Sequence, residues 1–291
     1  MLYDLSLHMG YSYDTPASGA RHMIRVMPMT LPGRQRLIAG SLSVFPAPDE
    51  QATHIDFFRH SATSVLLRSP HSALDIRMHA RVQVESPSIT ADFSPTLPSL
   101  PDEIAACWSL DPASPHHFLG ASPRLPEDRA IADYAAQAAL PGHSVREIAA
   151  ALCARIHADF AYDGEATDVD TPPSRAFALR RGVCQDFSHV MITGLRSLGI
   201  PAGYVSGFLR TMPPPGQERL EGADAMHAWV RVWCGEMTGW VELDPTNDMP
   251  AGMDHIVVAY GRDYSDVAPV IGVLKSYGSQ QLRQAVDVIP A

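Results

Sequence analysis

The spacing of apolar and polar positions changes along this chain near residue 100. Before that point short runs alternate, as in Leu74-Asp75-Ile76-Arg77-Met78-His79, the two-residue repeat of a strand with one buried face. Such runs occupy residues 2–9, 21–29, 35–45, 63–69 and 73–85. Turn formers lie between them, among them Pro32-Gly33, Pro46-Ala47-Pro48 and Ser69-Pro70. Several strands at this spacing predict an antiparallel sheet or sandwich. Residues 94–126 are rich in Pro and Ser and read as a connection between two domains.

Helical periodicity follows. Residues 127–139 are Ala-rich and stop before Pro141-Gly142. Ser144 and Glu147 have the spacing of a capping box and open a helix through about Asp159. Thr171-Pro172 reads as an N-cap followed by proline at the first helical position, with Gly182 ending that short helix. A further helix is predicted from Val183 to Leu198. Phe187, Val190, Met191, Gly194, Leu195 and Leu198 form its buried face, and Gly199 closes it. Strand patterns return at 202–210, 227–234 and 239–244. No internal repeat is visible, and the one low-complexity tract is Pro213-Pro214-Pro215. The expected class is α+β: a β-rich domain over residues 1–100 and a second domain over residues 101–291.

Composition narrows the function classes. The chain has 291 residues, 46% hydrophobic and 19% charged, which is ordinary for a folded globular protein. A formal net charge of −10 argues against nucleic acid as a partner, because phosphate binding needs clustered Lys and Arg. No apolar run approaches the roughly 18–20 residues that span a bilayer, so no membrane partner is expected. The first fourteen residues read as a strand, not as a signal peptide. Cys107, Cys153, Cys184 and Cys234 show no CxxC spacing and give no disulfide framework. Free thiols in a reducing compartment, the cytoplasm, are the expectation.

One of these thiols stands apart. Cys184 falls at the N-terminal end of a predicted helix, where unpaired N–H groups and the helix dipole favour an anion. A thiolate there is a plausible nucleophile, and the same N–H groups suit an oxyanion. A free Cys is otherwise commonly a small buried hydrophobe, and the other three fit that description. The segment 227–244 supplies a base. It reads as a hairpin in which His227, Trp229, Arg231 and Trp233 share one face of the first strand. Trp240, Glu242 and Asp244 share one face of the second. A two-residue turn at Gly235-Glu236 pairs His227 with Asp244 directly. A longer loop reaching Gly239 shifts the register by two and makes them diagonal neighbours, still on one face.

The residues that carry these features resemble a known family. They are Arg181-Gly-Val-Cys184-Gln-Asp-Phe-Ser-His189, Gly199-Ile-Pro-Ala-Gly-Tyr-Val-Ser-Gly207, His227-Ala-Trp-Val and Gly239-Trp-Val-Glu-Leu-Asp-Pro-Thr-Asn247. Together they resemble the transglutaminase-like superfamily, most closely its bacterial branch with an N-terminal β domain. Residues 1–14, 161–167 and 261–269 also look like that branch. The resemblance implies a papain-like core, with a nucleophile helix on an antiparallel sheet. It implies a catalytic triad in which Cys184 is the nucleophile, His227 the general base and acid, and Asp244 the residue that orients the imidazole. It implies no metal and no organic cofactor, and a peptide or protein substrate. Hydrolysis of an amide or peptide bond is favoured. Glutamine transamidation, by cross-linking or deamidation, and a non-catalytic binding module are the alternatives. Two positions depart from the family pattern: Gly203, where a basic residue is common, and Phe57-Phe58-Arg59-His60, where an aromatic-Gly-Asn turn is common.

Other residues receive bounded expectations. His189 lies five residues past Cys184, about 140° around the helix, and faces away from the thiol. Asp186 serves the helix N-terminus. Gln185 is either an oxyanion donor or part of the helix cap. Asp263, Tyr264 and Asp266 either line the acceptor side of a cleft or form a polar loop. His54, His60, His116 and His117 lack metal-ligand partners at useful spacing. Trp229 and Trp240 belong to the core or the cleft wall.

Overall fold

The computed structural model describes residues 1–85, 91–211, 222 and 224–291; the tract Pro213-Pro214-Pro215 lies outside them. The N-terminal third contributes β1 (Leu2–Ile24), β2 (Gln35–Phe45), β3 (Glu50–Ile55), β4 (Ser61–Leu67) and β5 (His71–Val84). Next come α1 (Leu100–Ala106), a 3-10 turn at Pro115–Phe118, α2 (Arg129–Ala136), α3 (Val145–Asp159), β6 (Ala161–Tyr162), α4 (Pro173–Leu179) and β7 (Arg181–Gly182). They lead into α5 (Cys184–Ser197), β8 (Ala202–Leu209), β9 (Ala225–Trp233), α6 (Gly235–Thr238), β10 (Trp240–Asp244), β11 (Met249–Pro250) and β12 (His255–Gly261). The chain ends in α7 (Tyr264–Val267), β13 (Val270–Lys275) and β14 (Gln280–Pro290).

The runs expected at 2–9 and 21–29 are two halves of one strand. Tyr3, Leu5, Leu7 and Met9 alternate inward along the first half of β1, as the two-residue repeat requires. That half lies between β5 and β14, whereas the second half lies between β4 and β13. The expectation that residues 101–291 form the second domain therefore needs correcting for 270–290, whose strands complete the N-terminal sheet. Their sequence hides this: β14 buries only Val286 and Val288 among polar neighbours. Strand β3 was also unanticipated, since all six of its residues are exposed and produce no apolar alternation.

The second sheet is antiparallel, in the order β11-β10-β9-β8-β12, and takes no strand from residues 1–90 among those described. Helix α5 packs into it. The predicted apolar face is present, but burial runs all round the helix from Gln185 to Arg196, including Ser188, His189 and Thr193. It is a central helix, so a one-sided pattern describes only part of it. At Gly194 an added Cβ would lie 2.9 Å from the Ala135 Cβ of α2, so glycine is what lets the two helices touch. The capping box of α3 is complete: Glu147 N–H donates to Ser144 Oγ at 3.1 Å, and Ser144 N–H to Glu147 Oε2 at 2.8 Å. Helix α4 differs by one residue from its expected start, with Pro172 as N-cap and Pro173 first in the helix. It ends at Arg180, in the left-handed region at φ 53°, not at Gly182.

The N-terminal sheet braces the second through charged and polar contacts. Arg34 holds Glu242 of β10 through both guanidinium ends. Gln35 Nε2 donates to Val257 O and its Oε1 accepts Val257 N–H, both at 2.8 Å. His60 is buried, meets the backbone of Tyr260 and pairs with Asp56. Both departures from the family pattern fall on this seam. Phe58 packs toward Phe118, with ring centroids 6.0 Å apart. At Gly203 an added Cβ would lie 2.9 Å from both Phe118 and the Gly261 carbonyl, so no basic side chain fits there. Arg231, opposite Gly203 on β9, occupies the space with its guanidinium over Phe118, Trp240 and Tyr260 at 4.3–4.4 Å.

Candidate active site

Cys184 is the first residue of α5 and is half-buried. The N-terminus of this helix is built by its own sequence. Asp186 Oδ2 accepts the N–H of Val183 at 2.8 Å and the Thr167 hydroxyl at 2.7 Å, so it serves the helix end as expected. Gly182 makes room for that carboxylate, which stands 2.3 Å from where a Cβ would be. Gln185 donates to Val169 O at 3.0 Å and ties the segment before α4 to the helix. Tyr204, fully enclosed, and Tyr162, exposed, both feel the charge of Cys184. Burial first and that charge second raise both phenols. Burial pushes the thiols of Cys153 and Cys234 up to about 12.

His227 comes from β9 and Asp244 from the end of β10. The pairing runs Trp240 with Trp233 through Leu243 with Val230. Continued one step, it sets Asp244 opposite Trp229, so His227 and Asp244 are diagonal neighbours. The direct pairing is thus corrected and the longer loop realised. Gly235, at φ 86°, starts a helical turn in place of a two-residue turn, and Cys234 N–H closes onto Gly239 O at 2.8 Å. The two side chains still meet, with His227 Nε2 2.7 Å from Asp244 Oδ2. Cys184 is the second group that acts on the imidazole. Burial works against a charged His227, but the hydrogen bond to Asp244 and the influence of Cys184 outweigh it and raise the ring to about 10.

Asp244 is completely buried and fully satisfied. Its Oδ1 accepts the N–H groups of Thr246 and Asn247 at 2.9 and 3.2 Å. Its Oδ2 accepts Asn247 Nδ2 at 2.7 Å besides His227, with His255 Nε2 at 3.2 Å. Burial opposes its charge, yet the hydrogen bonds from His227 and His255 hold the carboxyl far below the usual carboxylate range. Neither Asn247 nor His255 had been given a role from sequence. His255 left one signal, as a polar residue opening the apolar run Ile256-Val-Val-Ala259.

The remaining sequence expectations sort clearly. His189 is sealed in the core, accepts the Tyr264 N–H at 3.3 Å and is pushed down to about 3 by burial; it does not join the group. Asp263 caps α7, accepting Ser265 N–H and Arg124 N–H at 2.8 Å each, and Asp266 pairs with Arg262. Both carboxylates are used in holding that loop. Trp229 is fully buried and donates to Glu242, while Trp240 donates to Ala113 O at 2.9 Å. His116 and His117 hydrogen-bond backbone carbonyls. Among the described residues the one trio with metal-ligand atoms close together is His227, Asp244 and His255, within 4.8 Å of one another, and each of those atoms already serves a hydrogen bond inside the trio. Two roomy depressions, of about 520 and 620 Å³, lie around Arg196 and around His22; neither is lined by a cysteine. No helix of the described residues is long and apolar enough to cross a membrane.

Comparison with known proteins agrees with this architecture. Residues 131–245 match the profile of the transglutaminase-like superfamily, and residues 3–83 match that of the bacterial transglutaminase-like N-terminal region. An uncharacterized protein of Mycobacterium tuberculosis is 36% identical over 270 residues, covering 88% of this chain and 83% of its own. One from Mycobacterium leprae is 32% identical over 286 residues, covering 96% and 95%. The crystal structure of a candidate cysteine protease from Cytophaga hutchinsonii shares the fold, with a TM-score of 0.75 at 20% identity over 99% of this chain and 90% of that one. The chain belongs to the transglutaminase-like superfamily.

Proposed function

We propose that this protein is a thiol-dependent acyl-transfer enzyme that hydrolyses amide or peptide bonds, with Cys184, His227 and Asp244 as its catalytic triad. One observation carries the reading: a half-buried thiol at the start of α5 acts on an imidazole whose Nε2 is held by a buried carboxylate. The Cys184 thiolate attacks the carbonyl carbon of the scissile amide. The N-terminus of α5 offers N–H groups to the developing oxyanion. His227, protonated in the thiolate–imidazolium pair, passes its proton to the leaving amine as the C–N bond breaks, and a thioester remains. Water then attacks the thioester; His227 takes its proton, the C–S bond breaks, and a carboxylic acid leaves. Asp244 keeps the ring turned and stabilises its charge.

Water is favoured as the acceptor because hydrolysis needs no second site for an amine. Asp263 and Asp266, the candidates for such a site, are already engaged, by the Arg124 backbone and the Arg262 side chain. The test is turnover of a peptide library with and without a primary amine. Free acid in both arms is expected from the wild type. Cys184→Ala abolishes turnover with the fold intact, since alanine is an excellent helix former. Unchanged activity in that variant rejects the scheme, and amine-linked products without free acid reassign it to transamidation.

A further inference from the structure

His255 opens β12 and is 1% exposed, a histidine at the head of an otherwise apolar run. Its Nδ1 accepts the backbone N–H of Gly252 at 3.2 Å. A ring nitrogen that accepts carries no proton, so the proton of the neutral ring is on Nε2. Nε2 faces Asp244 Oδ2 at 3.2 Å and therefore donates to it. The backbone of the Thr246-Asn247 turn fixes Oδ1 of that carboxylate. The last torsion of an Asp side chain is soft and turns both oxygens together, so contacts on Oδ2 add to those on Oδ1 in holding the plane. Three side chains converge on it: His227, Asn247 and His255. Trp229 stands edge-on to the His255 ring, at 5.1 Å and 77°, and keeps its plane.

We propose that His255 is a positioning residue for the reaction: held as the Nε2–H tautomer by Gly252, it anchors Asp244 Oδ2. During turnover His227 alternates between imidazolium and imidazole, so its own grip on Oδ2 weakens at each half-cycle. His255 does not share in that proton transfer and holds the oxygen in place throughout. Its other nitrogen is committed to a backbone N–H, so it cannot exchange roles with His227. The proposal rests on reading Cys184 and His227 as nucleophile and base.

The test separates a hydrogen-bonding role from packing. His255→Phe keeps the ring volume and apolar contacts but removes the donor; His255→Gln keeps an amide N–H at about the reach of Nε2. With a peptide turned over by the wild type, His255→Phe is expected to lower kcat about 10- to 100-fold, the worth of a hydrogen bond to a charged group, with KM within about twofold. His255→Gln recovers most of the kcat. If the side chain served only to fill space, phenylalanine would do at least as well as glutamine in both kcat and thermal stability, and that result overturns the proposal. A second readout needs no activity and no substitution. The ring 15N shifts of His255 in the wild type are expected to show a bare Nδ1 and a protonated Nε2. The opposite tautomer overturns the proposal even if the peptide assay succeeds. A wild type that turns over no peptide would count against the proposed reaction, while the tautomer would still decide the role of His255.

Discussion

Strands β9 and β10 hold two clusters of buried charge on the same face, in different surroundings. At one end His227 meets Asp244; further along, Arg231 sits directly opposite Glu242. All four are less than a tenth exposed. In both clusters burial opposes the charges, and named partners hold them charged. Asp244 is kept ionised by His227 and His255, and Glu242 by Arg34, Trp229 and Tyr260. Burial draws Arg231 down to about 10, and three aromatic faces enclose it. Perturbed, buried charge therefore does not by itself mark a reactive site in this fold. The difference lies in the neighbours. The first cluster reaches a half-buried thiol at a helix N-terminus, whereas the second reaches Arg34 of the N-terminal sheet and serves as a joint.

Substitutions at the two ends should separate activity from stability. His227→Ala is expected to cost about 10²–10⁴-fold in kcat, the usual worth of a positioned acid–base group, along with the stability that the raised imidazole contributes at neutral pH. Arg34→Met should lower stability alone. It leaves Glu242 buried without its cation, which costs about 3 kcal/mol, the low end for breaking a buried pair, because Arg34 itself is 28% exposed. Its kcat, measured while folded, should stay near that of the wild type. Loss of turnover in Arg34→Met without unfolding would show that the joint belongs to the site and erase the distinction.

A smaller effect sharpens the same contrast among the thiols. A thiol pushed up to about 12, as Cys153 and Cys234 are, is ionised in only about one molecule in 10⁵ at pH 7. Iodoacetamide at that pH should therefore label Cys184 well before either of them, as read by peptide mapping. In His227→Ala the labelling of Cys184 should slow, because the imidazole that would favour its thiolate is gone. Equal labelling of Cys184 and Cys153 would remove the case for a selected nucleophile.

What the sequence made legible follows from which interactions are local. The capping box at Ser144, the helix beginning at Cys184 and the shared face of His227 and Asp244 rest on spacings within one element or one hairpin, and those spacings survive folding. The register of the hairpin turned on whether Gly235 starts a tight turn or a helical one, and either glycine conformation suits the sequence. The strands at 270–290 were invisible because their partner, β1, lies at the far end of the chain and most of their residues are exposed, leaving no clear one-sided pattern. His255 was missed for the same reason: nothing near it in sequence shows that the end of β10 will stand beside the start of β12. The roles of Asp263 and Asp266 were undecided until the Arg124 backbone and the Arg262 side chain were placed against them.

The smallest expected effect is in stability against pH, and the two clusters should fail at opposite ends. Glu242 and Asp244 both have folded-state values held below the ordinary carboxylate range. Their contributions are complete above the unfolded value of about 4 and are lost as the pH falls below it. His227 is raised to about 10, so its contribution is complete below the unfolded value of about 6.5 and is lost as the pH climbs from there toward 10. Unfolding by urea across pH 3–10 should therefore show an acid limb and a base limb. The limbs should come apart under substitution. His227→Ala flattens the base limb, since alanine carries no proton to lose, and it weakens the acid limb only through the donor that Asp244 loses. Arg34→Met weakens the acid limb through Glu242 and leaves the base limb in place. A base limb that persists unchanged in His227→Ala would mean that another group titrates there. The imidazole would then lack the coupling to Asp244 and Cys184 that distinguishes the first cluster from the second.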